Sequence, residues 1–131
     1  MTVSSYRDLK VWQKAMDLVV TSYALTKRFP QTEIYSLTSQ IQRAAVSIPA
    51  NIAEGHGREH LGDYLHHLSV ANGSLMELET HFLLGGRLSY LSNDELTGIL
   101  SQTEEVGRML AGLIRSLKKS RSDTWNLKPG T

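Results

Sequence analysis

Three acid–histidine or histidine pairs stand at helical spacing in this chain, and each would support a different chemistry if its helix held it in place. Asp63-x-x-His66 has the carboxylate-x-x-histidine spacing that helical bundles use to hold a di-metal centre. That centre needs the motif on two helices with further carboxylates facing inward, and the chain carries it once. His56 and His60 straddle Gly57, and Glu77 with His81 fits a surface pair. Gly73-Ser74 lacks the flanking glycines of a nucleophile elbow. Neither Gly55-His56-Gly57 nor Gly85-Gly86 spells a phosphate loop. The chain has no cysteine, which removes disulfides, zinc-thiolate sites and thiol nucleophiles. No catalytic residue, metal ligand or cofactor is expected, and an enzyme or metal carrier is the least favoured reading.

Binding chemistry is better represented. Arg43, Ser47 and Asn51 recur at every fourth position of one segment, and Glu77 and Glu79 stand on another. Either Arg43 meets Glu79 or Glu77 across a packed face and fixes helix register, or it faces outward as a phosphate or partner contact. The 14 Lys+Arg against 13 Asp+Glu give a net charge of +1, which argues against a surface strongly adapted to nucleic acid. The distribution is uneven: Tyr6 to Phe29 carries a net +3, whereas Arg58 to Tyr90 carries −2. Lys10, Lys14, Arg43, Lys118, Lys119 and Arg121 are the candidate contacts to RNA phosphate. Binding through them would be backbone-driven and salt-sensitive, because no aromatic stacking platform is evident.

The elements that must position these residues read as four helices, near residues 8–29, 34–55, 60–88 and 93–120, with no strand. Tyr64, Leu68, Ala71, Leu75, Leu78 and Phe82 form one seam, and Leu96, Ile99, Thr103, Val106, Leu110, Leu113 and Leu117 another. Gly85-Gly86 loosens the end of the third helix, and Ser92-Asn93-Asp94-Glu95 has the capping-box spacing for the fourth. In the second, Leu37, Ile41, Ala45, Ile48 and Ile52 share a side, with Pro49 inside the run. An interior proline costs ~3 kcal/mol, which the small residues Ala44, Ser47, Ala50 and Ala53 would offset by close packing. That helix is expected to continue with a kink and to stop at Gly55 and Gly57.

The first helix carries two apolar stripes: Leu9, Trp12, Met16, Val19 and Tyr23 toward the core, and Val11, Leu18 and Leu25 beside them. The second stripe is either wedged between neighbouring helices or meets another subunit. Val11, Leu18 and Leu25, with Trp125, are therefore the candidate oligomer interface. Short connections favour an all-α, antiparallel, up-down four-helix bundle over residues 1–120, with 121–131 as a C-terminal tail. The first residues lack an apolar signal core and no run approaches the ~18 apolar residues of a membrane span, so a cytoplasmic protein without membrane contact is expected.

One run, Leu37-Thr38-Ser39-Gln40-Ile41-Gln42-Arg43-Ala44-Ala45-Val46-Ser47-Ile48-Pro49-Ala50-Asn51-Ile52-Ala53-Glu54-Gly55, resembles the signature of the four-helix proteins known from intervening sequences of bacterial 23S rRNA genes. Tyr6-x-Asp8-Leu9-x-Val11-Trp12-Gln13-Lys14-Ala15, Phe29-Pro30 with Glu33-x-Tyr35, and Gly73-Ser74-Leu75-x-Glu77-Leu78-Glu79 are similar to further motifs of that family, in the same order, between Tyr6 and Lys119. The resemblance implies a ring-like homopentamer with no known enzymatic activity. A group similar in fold, the accessory proteins of diversity-generating retroelements, forms basic pentameric barrels that associate with reverse transcriptase and nucleic acid. Here Gln42 stands where relatives often carry a second basic residue beside Arg43. Two functions follow as expectations: a homo-oligomer that associates with RNA or a nucleic-acid-associated protein, or a protein-interaction scaffold with no nucleic-acid role.

Overall fold

A computed structural model describes the backbone of residues 5–126 and the side chains of residues 5–120. Four α-helices, α1 (Lys10–Thr26), α2 (Leu37–His56), α3 (Leu61–Arg87) and α4 (Asn93–Asn126), pack around one core, with no strand among the described residues. Short 3-10 turns at Tyr6–Asp8 and Gln31–Glu33 bring the chain into α1 and α2. Each helix lies against its neighbours in sequence, and α1 closes against α4.

The helix boundaries follow local chemistry. Ser92 Oγ accepts from Glu95 N at 3.1 Å while Ser92 N donates to Glu95 Oε1 at 2.9 Å, the reciprocal pair of a capping box, as the sequence predicts. α3 passes through Gly85-Gly86 to Arg87 and closes with two carbonyl-capping bonds, Tyr90 N to Gly85 O at 2.9 Å and Ser89 N to Gly86 O at 3.0 Å. Ser89 holds the left-handed position of that cap at φ 64°. The glycines expected to loosen α3 serve contact instead: a Cβ on Gly86 would stand 2.8 Å from Leu96 Cδ2. α2 ends at His56 with Gly57 as its C-cap, the second of the two glycines expected to stop it, whereas Gly55 is buried inside the helix against α3, where a Cβ would lie 2.8 Å from His67 Cβ. α2 is continuous through Pro49, which is itself buried. α4 runs past residue 120 to Asn126, since Arg121-Ser122-Asp123-Thr124-Trp125-Asn126 contains no breaker ahead of Pro129.

The core consists of the expected faces of α2, α3 and α4, including Ile41, Ala45, Ile48 and Ile52 against Leu68, Leu75, Leu78 and Phe82. The first helix differs from expectation. Its buried positions are Val11, Ala15, Leu18, Ser22 and Thr26, and the stripe read as core places Met16 and Tyr23 in solvent. Ser22 and Thr26 can be buried because each hydroxyl donates to a carbonyl one turn back, Leu18 O at 2.8 Å and Ser22 O at 2.9 Å.

Candidate functional site

The densest polar arrangement joins α2 to α3. Four-residue spacing places Arg43, Ser47 and Asn51 along the side of α2 that faces His67, Ser74 and Glu77 of α3. His67 Nδ1 lies 3.1 Å from Asn51 Oδ1, and Asn51 Nδ2 donates to Ser47 O at 2.9 Å and Ser47 Oγ at 3.0 Å. Ser47 Oγ and Ser74 Oγ meet at 2.8 Å. Above this ladder opens a cleft of about 390 Å³ lined by Gln40, Arg43, Ala44, Ser47, Ser74 and Glu77.

Arg43 does not make the ion pair that would tie it to α3. Glu79 Oε2 accepts instead from the buried Thr103 hydroxyl of α4 at 2.7 Å, and Glu77 faces His81 Nε2 at 3.3 Å. Arg43 has no ion pair among the described residues, and it is exposed. Thr103 was legible only as a core seam position. Its bond to Glu79 depends on how α3 and α4 are aligned, which spacing within either helix does not encode.

The other basic residues lie elsewhere. Lys14 sits 3.5 Å from Glu105 in a groove between α1 and α4 that also holds Asp17. Lys10, one turn before it, is exposed, as are Lys118 and Lys119 late in α4. Because Lys14 pairs with Glu105 while Arg28 pairs with Glu95, the start of α1 lies further along α4 than its end does. Lys10 and Lys14 thus lie beside the middle of α4, Lys118 and Lys119 stand well beyond them toward its late part, and Arg43 is apart from all four. The side chains of Arg121 and Trp125 lie outside the described residues.

The proposed interface residues of α1 are corrected by burial. Val11 and Leu18 are core residues of the single subunit, as the wedged alternative for this stripe expects, and so offer no interface surface, while Leu25 is half-buried and packs against that core. The apolar side chains that α1 does expose are Met16, Val20 and Tyr23, with Val20 at 68 %. Tyr23 lines a depression with Val19, Val20, Ala24 and Lys27, and a second with Val46, Gln42 and Arg43 of α2. The large apolar side chains that α3 exposes are Val70, Met76, Leu83 and Leu84.

No group of three or more metal-ligating side chains occurs among the described residues. His56 instead stacks edge-on to Tyr64 at 5.8 Å, and burial pushes the Tyr64 hydroxyl pKa above its usual value. No described helix is long and apolar enough to cross a membrane.

An all-α fold of four helices with a polar seam is the class these features define. The family model of the 23S rRNA-intervening sequence proteins matches residues 7–112, and the chain belongs to that family. Among solved structures, the chain is similar to a protein of unknown function from the S23 ribosomal protein family of Bacteroides thetaiotaomicron VPI-5482. The two are 24% identical with a TM-score of 0.75, over 80% of this chain and 95% of that one. No curated protein matches the chain.

Proposed function

We propose that this protein is a non-enzymatic, self-assembling scaffold: an antiparallel up-down bundle whose copies close into a ring. The bundle order is supported by reversed pairings, in which Ser47 meets Ser74 while Asn51 meets His67, and Thr103 meets Glu79 while Leu96 meets Gly86. The observation that carries the assembly is the presence of exposed apolar side chains in two separate places, Met16, Val20, Tyr23 and Val46 on α1 and α2, and the pairs Met76 with Leu83 and Val70 with Leu84 on α3. A ring with an odd number of subunits needs two unlike, complementary patches per copy, whereas one self-complementary patch gives a two-fold dimer. Five copies follow from the family resemblance alone. Light scattering is expected to give one discrete oligomer, and a stable monomer at micromolar concentration would overturn the assembly.

A second function on the same scaffold, association with RNA, is supported by the exposure of Lys10 at the start of α1 and of Lys118 and Lys119 late in α4. Several such copies in one ring would place many cations along one phosphate backbone, each neutralised phosphate adding ~0.7–0.9 to the salt slope. Fluorescent single-stranded RNA titrated at two ionic strengths is the measurement. Binding should fall with salt and in Lys10→Glu/Lys14→Glu and Lys118→Glu/Lys119→Glu, and the absence of binding at low salt leaves a scaffold that acts on protein partners alone.

A further inference from the structure

The hydrogen bonds between α2 and α3 leave one hydroxyl proton over. Asn51 Nδ2 faces the Ser47 carbonyl, which only accepts, so the amide orientation is fixed and Oδ1 faces His67. His67 Nδ1 must then carry the hydrogen it shares with Oδ1. Ser47 Oγ accepts from Asn51 and shares one hydrogen with Ser74 Oγ, and either serine can be its donor. One of the two hydroxyl hydrogens is therefore left unassigned. Thr21, Ser22, Thr26 and Thr80 each return theirs to the carbonyl one turn back, and neither Ser47 nor Ser74 makes such a bond among the described residues.

Both serines line the cleft shared with Arg43, which has no ion pair among the described residues, and with Gln40. The spare hydroxyl hydrogen and the guanidinium therefore face one opening, and the groups they lack are acceptors. A planar guanidinium takes two oxygens, and a hydroxyl from another direction suits a third, which is the demand of a tetrahedral oxyanion. Glu77 borders the same cleft, with one oxygen already facing His81 at 3.3 Å, and its charge opposes an anion.

We propose that Arg43 and the Ser47–Ser74 hydroxyl pair form a phosphate-binding site in the α2–α3 cleft, which takes a phosphoryl group either free on a small molecule or within a nucleic-acid backbone. The backbone source rests on the RNA reading above, and the free source does not.

Inorganic phosphate titrated into the full-length, isotope-labelled protein tests it by nuclear magnetic resonance. The Ser74 amide and Arg43 Nε signals should shift together. Arg43→Gln should weaken binding about tenfold or more and Ser74→Ala severalfold, while Glu77→Gln tightens it. Lys10→Glu/Lys14→Glu should leave it unchanged. Helical circular dichroism and melting of each variant verify that the fold is intact. Shifts that persist in both Arg43→Gln and Ser74→Ala, or no shift at Ser74 in wild type, overturn the site. Displacement of phosphate from Arg43 by single-stranded RNA supports the backbone source. Phosphate binding that RNA does not displace supports the site with a free phosphoryl ligand.

Discussion

Ser89 ends α3 in a conformation that side chains disfavour. At φ 64° its Cβ crowds the following carbonyl, a cost of ~1–2 kcal/mol that glycine avoids. Glycine loses more freedom on folding, which returns part of the gain. Ser89→Gly is therefore expected to stabilise the protein by ~0.5–1 kcal/mol, measured by denaturant unfolding with an unchanged slope. Gly55 argues the other way. Its missing Cβ lets α2 approach α3, and an added methyl would stand 2.8 Å from His67 Cβ and 3.0 Å from Tyr64 Cδ1. Gly55→Ala is expected to cost ~1–3 kcal/mol by overpacking, seen as a lowered midpoint in the same experiment. Neither role was visible in the sequence: Gly55 looked like a stop signal because the approach of a second helix leaves no trace in the first. The polar seam was half visible. Arg43, Ser47 and Asn51 showed their shared face by spacing, but their partners depended on how α2 and α3 align.

At the scale of the element, legibility tracked side-chain size. The α3 seam Leu68, Ala71, Leu75, Leu78 and Phe82 is fully buried, as its 3–4 rhythm predicts. The α1 core escaped that rhythm because Ala15, Ser22 and Thr26 are small or polar, while Met16 and Tyr23 supply the hydrophobic signal from the solvent side. Two contacts define how α4 is seated. Its first turn depends on the Ser92 cap, so Ser92→Ala should cost ~1 kcal/mol in thermal or denaturant melts. Its middle is tied to α3 by the Thr103 hydroxyl donating to Glu79. Thr103→Val keeps the shape but leaves a half-buried carboxylate without that donor. A loss of ~1–3 kcal/mol is expected, and Glu79→Gln in the same background should recover part of it.

For the whole molecule, the arrangement of exposed apolar faces makes a prediction that size measurements of a single variant cannot. Val20→Glu disables the α1–α2 face and Leu83→Glu the α3 face, so each variant alone should fail to form the ring. Mixed, they retain one intact face apiece, and if the interface joins unlike faces they should pair into dimers capped at both ends. Light scattering of the mixture distinguishes this from a two-fold interface, in which mixing restores nothing.

Because every helix packs on its neighbour in sequence, α1–α4 is, among the described residues, the one helix–helix contact that closes a long loop of chain. Mostly local contacts favour fast folding, and the loop-closing contact is the one whose chain entropy is lost last. The exposed pairs Lys14–Glu105 and Arg28–Glu95 span that seam. Neutralising them should change total stability little. That small loss falls on the lifetime of the folded subunit: if the α1–α4 contact forms last, Lys14→Gln with Arg28→Gln should speed unfolding by the roughly two- to fivefold that ~0.5–1 kcal/mol corresponds to, while leaving the folding rate nearly unchanged.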